Sequence, residues 1–594
     1  MSKAQAILTQ IIRTELTNLY GSIDDKSIQI QATNKEFAGN YTLVVFPLIK
    51  YSKLNPEETA KTIAENLLSV SDIIASYNIV KGFLNLTLSE TIWKSILKNI
   101  DDDDDYGQNH HQTQPLNIVI EYSSPNTNKP LHLGHVRNNL LGYSISRILT
   151  ANGHQVTRVN LVNDRGIHIC KSMVAWKHWG NNQAPLTTGI KGDRFVGDYY
   201  VMFDTEYKVQ IANLISQGMD KDQATEQAPI IQEARQMLRD WENHDPNTIE
   251  LWKTMNQWVY EGFDITYKQL GIEFDKTYYE SETYMLGRQI ITKHLKTNLL
   301  QQDADGSVWI DLTSEGLDRK LLLRKDGTSV YITQDIGTAI QRHNEYKFQK
   351  HIYVVGNEQN YHFQVLISIL VKMGYTWANQ LQHLSYGMVE LPSGKMKSRE
   401  GTVVDADDLI EEMILTAKNK AFESGKLTGI SDKQIIQITQ AVALGALKYF
   451  ILKVDPKKNM LFNPEESIDF NGNTGPFIQY AYARIQSMLR TVKEQEAQPS
   501  ITSYIFNEKE IRLIQIIDTF PTVIKEAGDQ MNPAQIANYV YELAKEFNQY
   551  YHEYQILKES DDHIRSSRLL LIKNIGKVIK KAMWLLGIDV PDRM

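Results

Sequence analysis

The sequence predicts an α/β protein in three parts: a small α+β unit, a central domain built on a parallel sheet, and an all-helical region. The central sheet is predicted by an alternating pattern. Residues 117–122 form an apolar run suited to a buried strand, 135–151 have helical spacing, and 155–162 are strand-like. The alternation returns as strand, helix and strand at 350–355, 360–373 and 384–389. This order is typical of parallel pairing.

The N-terminal unit is predicted to span residues 1–100. A helix at 3–19 precedes strand-like stretches at 27–31 and 41–46, and another strand follows at 81–88. Helices and strands mixed over so short a stretch indicate a small α+β module.

The remaining segments follow from charge and periodicity. Residues 101–115 begin with five consecutive aspartates, which repel each other and offer nothing to a core, so we expect an acidic linker. The central domain then covers 116–404, with a polar, mostly helical insertion over 180–300. Helical spacing continues as connecting helices at 405–470 and a helical domain at 471–594.

Composition limits the classes of function. With 63 Lys and Arg against 71 Asp and Glu, the formal net charge is −8, which excludes a uniformly basic nucleic-acid coat but allows a local basic face. The single cysteine, Cys170, excludes an internal disulfide and a Cys-rich zinc site and favours a reducing compartment such as the cytoplasm. We find no signal-peptide pattern and no run of about 18 apolar residues, so we expect no membrane association.

A polar stretch with two histidines, EYSSPNTNKPLHLGH at 121–135, follows the first strand of the central domain. It lies at a strand's carboxyl end and at a helix start, where open α/β sheets bind ligands. His132 and His135 flank Gly134, which lets the backbone approach a ligand, and helix N-terminal amides favour phosphate. A metal site is an alternative interpretation, although no third ligand lies nearby, and a purely structural helix start is another.

A second basic stretch, LPSGKMKSREGT at 391–402, lies far along the chain. Proline and glycine indicate a loop, and Lys395, Lys397 and Arg399 supply charges that can clamp a polyphosphate. Alone, this stretch is better explained as a solvated basic loop. The two stretches, placed on the two halves of one α/β domain, are much more specific than either.

The two stretches resemble the HIGH and KMSKS signatures of class I aminoacyl-tRNA synthetases, whose catalytic domain is Rossmann-like. The likeness is to the arginyl-tRNA synthetase family, and it covers the whole chain. The stretches that carry it are 81–85, 121–135, 331–337, 395–399 and 475–484. The resemblance implies ATP-dependent ligation of L-arginine to tRNA(Arg) through an arginyl-adenylate, onto the 2′-OH of the terminal adenosine.

The resemblance also implies an arginine-binding set. Asp335, on a predicted strand-to-helix turn at 331–337, is expected to read the guanidinium, with Glu121 and Tyr331 as its neighbours. The α-amino and carboxylate groups are assigned to Ser124, Asn126 and Gln359. Without the resemblance, Asp335 is also explained as a helix N-cap and Glu121 as a surface carboxylate.

The ATP site implied by the resemblance combines both signatures. His132 and His135 are expected to meet the phosphates, while Gly134 lets the adenosine approach. The other ATP-binding residues implied are Gly356, Lys395, Met396 and Ser398. Mg²⁺ is expected to travel with ATP, and we expect no zinc and no organic cofactor.

One departure from the KMSKS pattern concerns its second lysine, whose place is taken by Ser398. Family members that lack this lysine often carry one just before HIGH, which favours Lys129 as the replacement; Lys397 is the alternative. Lys129, Lys395 and Lys397 are therefore the candidate catalytic cations. The resemblance also implies that bound tRNA is commonly needed before arginine is activated.

Contacts with tRNA are expected on the helical domain. Tyr480 and Arg484 lie where this domain should meet the catalytic one, and Lys577 and Lys581 belong to a basic face of the last helix. An ordinary solvated face explains those lysines equally well. The expected partners are tRNA(Arg), L-arginine and ATP, and the chain is expected to be a monomer.

Other classes of protein fit less well. A small-molecule nucleotidyl transferase of the HIGH type would lack the helical domain and the arginine-binding set. A non-catalytic RNA-binding relative would be expected to lose the histidines or the lysine loop. A dinucleotide-binding dehydrogenase would need G-x-G-x-x-G after the first strand, and a P-loop kinase would need its own glycine–lysine motif.

Overall fold

The fold was analysed in a computed structural model, which describes residues 1–34, 36–109, 112–297, 299–390, 404–423, 431–494, 500–501 and 503–594. The N-terminal unit is an antiparallel sheet with helices packed on it. Its elements are α1 (Lys3–Tyr20), β1 (Ile30–Ala32), β2 (Tyr41–Val44), α2 (Ile49–Ser52), α3 (Pro56–Val70), β3 (Ile74–Val80), β4 (Phe83–Leu88) and α4 (Glu90–Asp102). The strand order is β1-β2-β4-β3.

Two predicted strands of this unit begin too early. Lys81 and Gly82, expected to open a strand, form the turn of the β3–β4 hairpin, and both have positive φ. Positive φ at two successive residues is the backbone of the tight turns that join antiparallel strands. The strand expected at 27–31 starts only at Ile30, because Asp25–Ser27 form a 3-10 turn.

The central domain contains the parallel sheet and most of the remaining strands. Its elements are β5 (Asn117–Glu121), α5 (Leu133–Ala151), β6 (Gln155–Val162), α6 (Ile167–Trp179), α7 (Pro185–Thr188), α8 (Gly192–Ser216), α9 (Lys221–Gln227), α10 (Pro229–Glu242), α11 (Pro246–Leu270), β7 (Lys276–Tyr279), α12 (Glu280–His294), β8 (Gln301–Gln302), β9 (Val308–Ile310), β10 (Lys320–Leu323), α13 (Tyr331–Tyr346), β11 (Lys350–Gly356), α14 (Asn360–Lys372), β12 (Leu381–Tyr386) and β13 (Val389–Glu390).

The main sheet has the order β12-β11-β5-β6-β7, and every pair in it is parallel. Because successive side chains of a strand point to opposite faces, a strand covered on both faces must be apolar throughout. In β5, Ile118 and Ile120 join the core on one face, and Val119 joins a separate core on the other. The chain order reverses beside β5, which places a ligand-binding crevice at the carboxyl ends of β5 and β11.

The insertion expected over 180–300 is shorter than the sequence predicts. Helices α7 to α11 fill most of it, but 276–279 return to the sheet as the edge strand β7. Edge strands need no continuous apolar run because one side is unpaired, so Lys-Thr-Tyr-Tyr gave no strong strand signal.

The C-terminal part is helical, apart from β14, which pairs in parallel with β13. Its elements are α15 (Ala406–Glu423), α16 (Asp432–Leu452), β14 (Met460–Leu461), α17 (Pro464–Ser467), α18 (Gly475–Glu494), α19 (Glu508–Asp518), α20 (Phe520–Asp529), α21 (Ala534–Glu553) and α22 (Asp562–Leu585). Within the described ranges, α16 alone is long and apolar enough to cross a membrane, and 56% of its most apolar window is buried inside the molecule.

The acidic stretch 101–115 differs from the expected free linker. Asp101 and Asp102 belong to the last turn of α4, and Asp101 pairs with Lys573 of α22 at 2.7 Å. Lys577 donates to the backbone carbonyls of Ile100 and Asp101 at 2.8 and 3.1 Å, where a helix end carries partial negative charge. The acidic run therefore docks on the basic face of α22.

Candidate active site

The candidate site lies at the gap between β5 and β11, and helix α5 crosses it. The side-chain amide of Asn138 links the two strands, because its Oδ1 accepts from the backbone N–H of Ser123 at 2.5 Å and its Nδ2 donates to the carbonyl of Val354 at 2.7 Å. Ser123 and Ser124 both have positive φ, which turns the chain sharply after β5. The N-terminus of α5 therefore faces the crevice.

His132 and His135 cap the start of α5 together. His132 is the N-cap; its Nδ1 accepts from the N–H of Gly134 at 3.1 Å, and Nδ1 of His135 accepts from the N–H of His132 at 3.2 Å. The ring centroids are 3.9 Å apart. A Cβ at position 134 would lie 2.9 Å from the His132 ring, so glycine permits this packing.

Both imidazoles are held neutral. Burial, followed by the charge of Lys129, lowers the pKa of His132 to about 3. The pKa of His135 lies well below its ordinary value, because of burial and then of the His132 and Lys129 charges. Burial also lowers the pKa of the Lys129 ammonium. Near pH 7 the histidines can exchange hydrogen bonds with a ligand but supply no positive charge.

A cavity of about 220 Å³ opens beside this pair. Lys129 and His132 line one side, Arg194 and Tyr200 of α8 another, and Asp405 a third. Gly197 lets α8 approach, since a Cβ there would lie 2.9 Å from Pro130.

The described residues on both sides of the basic loop form hydrogen bonds with α5 or with the residues just before it. The predicted loop residues Lys395, Met396, Lys397 and Ser398 lie outside the described residues. After the loop, Ala406 donates its N–H to Leu131 at 2.8 Å and Leu133 donates to Val404 at 3.2 Å. These bonds fix the exit of the loop beside His132.

Before the loop, Arg137 provides the attachment. This fully buried side chain donates to the carbonyls of Gly387 and Met388 at 2.7 and 3.1 Å, and to those of Pro456 and Lys458 at 3.2 and 2.8 Å. The geometry thus ties the described residues on both sides of the second basic stretch to the segment that carries the first, although about 260 residues separate the two stretches along the chain.

Glu121 ends β5 and is 7% exposed. Its Oε2 accepts from Nη1 of Arg342, a fully buried residue of α13, and its Oε1 lies 3.4 Å from the hydroxyl of Ser124, which donates to it. Glu121 is therefore a buried, paired carboxylate, not a surface one.

Asp335 lies in a helix and not on a strand-to-helix turn. Residues 331–337 were expected to include a strand end, but α13 begins at Tyr331 with Val330 as its N-cap, so Asp335 is not a cap either. Tyr-Ile-Thr has strand propensity, and here the helical context prevails over it. The Asp335 carboxylate lies 2.6 Å from Nε2 of His362 in α14.

The other predicted arginine contacts surround the crevice at different depths. Tyr331 is 74% exposed at the start of α13, and Gln359 is exposed in the 3-10 turn after β11. Asn126 is also exposed and pairs through its backbone with Asn163 after β6. Gly356 ends β11, where a Cβ would collide with the carboxylate of Glu358. Contact of these residues with a ligand stays a prediction.

Sequence reasoning missed several residues that shape this site. Arg342 was not singled out, although it lies seven residues after Asp335, a spacing that repeats one face of a helix. His362, three residues after Gln359, and Arg137, two after His135, were equally available from motif proximity. No local signal identifies Asn138 as the link between two strands.

Comparison with known proteins decides the family. The model of the class I (R) tRNA synthetase catalytic domain matches residues 96–463, the arginyl tRNA synthetase N-terminal domain matches 6–88, and the DALR anticodon-binding domain matches 478–594. The curated arginine–tRNA ligase of Bacteroides thetaiotaomicron is 56% identical over 98% of both chains. That of Bacteroides fragilis is 54% identical over 99% of both.

The chain belongs to the arginyl-tRNA synthetase family. The solved structure of the Thermus thermophilus arginyl-tRNA synthetase has the same fold, with a TM-score of 0.74, 22% identity and coverage of 99% of this chain and 100% of that one. The resemblance inferred from the two signatures is confirmed, as is the α/β class with its N-terminal and helical C-terminal parts.

In this arginyl-tRNA synthetase fold, the candidate tRNA residues are all partly buried, and they differ in what they contact. Arg484 lies between two tyrosine rings, 4.8 Å from the centroid of Tyr480 and 4.4 Å from that of Tyr551, and donates to Asn548 at 2.6 Å. Lys577 is engaged by α4, and Lys581 stacks on Trp584 at 4.7 Å. Lys577 therefore serves a contact between domains, which sequence reasoning did not anticipate.

The described part of the chain was also searched for groups of side chains that could hold a metal ion. No group of three or more His, Cys, Asp or Glu side chains in these ranges has a metal-holding arrangement. Cys170 is free and buried, and burial raises the pKa of its thiol to about 12, so it is not a reactive thiolate.

Proposed function

We propose that this chain joins L-arginine to tRNA(Arg) in two steps. First, an arginine carboxylate oxygen attacks the α-phosphorus of ATP, the bond to the β-phosphate breaks, and pyrophosphate leaves. Next, the 2′-OH of the terminal adenosine attacks the carbonyl carbon of arginyl-adenylate, and AMP leaves as the hydroxyl proton is released. Neither step needs a protein nucleophile, so the protein contributes alignment and charge stabilisation.

The observation that carries this proposal is the placement of two carboxylates, Glu121 and Asp335, about Tyr353 of β11. Glu121 lies in register with Tyr353 across the β5–β11 pair. Burial raises the pKa of Tyr353, and the charges of Glu121 and Asp335 raise it further. They therefore share one region at the carboxyl end of the sheet, where α5 presents His132. A planar guanidinium is best bound by carboxylates in fork geometry, and a phosphate suits the start of a helix.

The arginine side chain is assigned to Glu121, Asp335 and Tyr331. Tyr331 and Asp335 are four residues apart on α13 and therefore share a face. The α-amino and carboxylate groups are assigned to Ser124, Asn126 and Gln359, which follow the carboxyl ends of β5 and β11. Lysine would leave part of the acidic pocket unpaired, which costs roughly 2–5 kcal/mol.

The triphosphate is assigned to His132, His135 and Lys129. The adenosine is assigned to the neighbourhood of Gly134 and Gly356, at the start of α5 and at the carboxyl end of β11. Lys395, Met396, Lys397 and Ser398 complete the site from the basic loop, and both ends of that loop meet the segment around α5. ATP carries its own Mg²⁺, held mainly by phosphates and water.

Transfer RNA is proposed to meet the helical domain near Tyr480 and Arg484, with Lys581 and Lys577 at its margin. An arginine stacked between tyrosines offers both charge and aromatic faces to unpaired bases. We propose a cytoplasmic monomer that works apart from membranes, which agrees with a single buried thiol.

The experiment that tests the site is aminoacylation of tRNA(Arg) by Glu121→Gln and Asp335→Asn. Each change removes a charge with little change of shape. We expect the KM for arginine to rise at least about 30-fold in each, with the KM for ATP nearly unchanged. Glu250→Gln, an exposed carboxylate on α11, is the matched control. Unchanged arginine KM values in both site variants would disprove the assignment.

A further inference from the structure

A buried ion pair lies directly behind the proposed arginine pocket. Arg342 is 0% exposed and donates from Nη1 to Oε2 of Glu121. Its guanidinium carbon lies 4.9 Å from the ring centroid of Tyr278 in β7, a distance suited to a cation–π contact. Arg342 thus connects α13, β5 and β7 at one point.

This ion pair is poorly explained as a stabilising device. Nε and Nη2 of Arg342 are buried and make no hydrogen bond of normal geometry, and the same holds for both ring nitrogens of the neighbouring His351. The hydroxyl of Tyr353 also interacts with the Arg342 guanidinium. Burying a guanidinium is costly unless its donors are satisfied, and well-packed apolar residues often give equal or greater stability. A costly buried charge next to Glu121, the carboxylate proposed to bind the substrate, indicates a functional role.

The geometry relates Arg342 to both acidic residues. It follows Asp335 by seven residues on α13, so the two share a face and are separated by roughly 10 Å along the axis. While Oε2 of Glu121 is held by Arg342, Oε1 points to the side of Ser124, one of the residues assigned to the substrate. Tyr353 lies within the electrostatic reach of all three charges.

We propose that Arg342 is a positioning residue for arginine recognition. It holds Glu121 by one oxygen, so that the other faces the substrate, and it neutralises one of two carboxylates, so that the pocket takes one positive charge. With arginine bound, two carboxylates and two guanidinium groups balance. The inference rests on the proposed role of Glu121 and Asp335.

Loss of Arg342 would leave Glu121 as a buried, unpaired carboxylate. Such a group takes up a proton or turns toward water, and either response weakens its bond to a substrate guanidinium. The residues assigned to ATP do not include Arg342 or Glu121, so ATP binding should be unaffected. The expected signature is therefore a selective change in the KM for arginine.

The test compares Arg342→Met, Arg342→Lys, Glu121→Gln and the double variant Glu121→Gln/Arg342→Met in arginine-dependent ATP–pyrophosphate exchange with saturating tRNA. We expect Arg342→Met to raise the arginine KM at least about 30-fold, with the ATP KM within about twofold. Arg342→Lys keeps the positive charge but loses the planar set of guanidinium N–H donors. Its arginine KM should therefore lie between those of the wild type and Arg342→Met. The double variant should resemble Glu121→Gln, since Arg342 acts through Glu121.

Arg568→Met is the matched control, because Arg568 forms an equally buried pair with Glu510 in the helical domain at 2.8 Å. It should lower the Tm without raising the arginine KM. If Arg342→Met does not fold, an arginine KM at least about threefold higher in Arg342→Lys supports the inference, and an unchanged one overturns it.

The outcomes separate two possible errors. If Glu121→Gln leaves the arginine KM unchanged, the proposed arginine site is wrong. If Glu121→Gln raises it and the Arg342 variants do not, the site stands and the positioning role of Arg342 fails. Independent, multiplicative effects in the double variant would also overturn the role.

Discussion

At the scale of single residues, different side chains of the site supply hydrogen bonds and positive charge. His132 and His135 are neutral because burial and the nearby Lys129 lower their pKa values. Pyrophosphate departs with several negative charges, which neutral imidazoles can orient but not balance. The balancing charge must come from cationic side chains, and in the described part of the chain Lys129 and Arg194 line the cavity beside His132.

Replacing Lys129 by alanine should therefore reduce the kcat of ATP–pyrophosphate exchange by about 100-fold or more while the KM for arginine changes little. Exchange kinetics at saturating ATP provide the measurement. Lys253→Ala, on the exposed face of α11, is the control. Near-normal turnover in Lys129→Ala would move the role to Lys397 or Arg399.

At the scale of elements, α5 organises the site. Its N-terminal approach bonds to the exit of the basic loop, while Arg137 holds the segment before the entrance by four carbonyls. One helix and the segment before it therefore hold the described residues on both sides of the basic loop. This arrangement agrees with the proposal that the two stretches act on one triphosphate.

Arg137→Met should disturb this alignment. It removes four hydrogen bonds and leaves the buried carbonyl of Gly387 without a donor, whereas the carbonyls of Met388 and Pro456 keep backbone donors. We therefore expect a loss of stability of ~1–3 kcal/mol and at least a tenfold lower kcat, with the arginine KM nearly unchanged. Denaturant unfolding and exchange kinetics give the two readouts. Arg147→Met on the same helix removes a contact to Trp584 and should spare kcat. A stability loss with normal kcat would limit Arg137 to a structural role.

Helices α4 and α22 form the second element-scale contact, through Asp101 and Lys573. Lys573→Glu places like charges together, but both groups are partly exposed, so the expected loss is only ~0.5–1 kcal/mol and should shrink at high salt. The double variant Asp101→Lys/Lys573→Glu should restore the wild-type urea midpoint. Lys580→Glu, exposed on α22, is the control. Equal losses for Lys573→Glu and Lys580→Glu would argue against a specific pair.

At the scale of the molecule, one apolar core runs from the N-terminal unit through one face of the sheet to the helical domain. Buried polar links reinforce it. Lys448 of α16 donates to the carbonyl of Gly587 near the C-terminus at 2.6 Å, and burial lowers the pKa of its ammonium to about 8. The helical domain and the catalytic domain are thus held in one arrangement.

This lysine gives stability a defined pH dependence. Its folded pKa of about 8 lies below the ordinary 10.5, so the folded state loses the proton first and wild-type stability rises as pH increases through that window. Relative to Lys448→Met, the gain should reach roughly 3 kcal/mol by pH 10.5. Urea unfolding of both proteins at about pH 7.5, 9 and 10.5 measures this difference in unfolding free energy. If the difference in unfolding free energy between the two proteins stayed constant across these pH values, burial would not be penalising the charged form of Lys448.

Several elements of this architecture are predictable from the sequence, because their burial requires a particular local pattern of apolar residues. The central strands β5 and β6 were located to within a residue since strands buried on both faces must be apolar throughout. The start of a helix near the two histidines was also foreseen from the helical spacing of 135–151, but the cap that their imidazoles form was not.

What the sequence could not show depends on distant partners. The β7 strand is short and polar, α13 has strand-like residues at its start, and Asp101 meets Lys573 across 472 positions. Arg342 looks like a surface residue in the sequence, and only its approach to Glu121 shows it to be part of the site. Such pairings are set by tertiary packing, which no local pattern encodes.

The most direct measurement is amino-acid-dependent ATP–pyrophosphate exchange by the wild-type protein, with and without tRNA(Arg). Arginine should support exchange in the presence of tRNA, while lysine at equal concentration should be at least about 30-fold less effective, because it cannot satisfy two carboxylates in a fork. Exchange driven by a different amino acid, with arginine inert, would contradict the account.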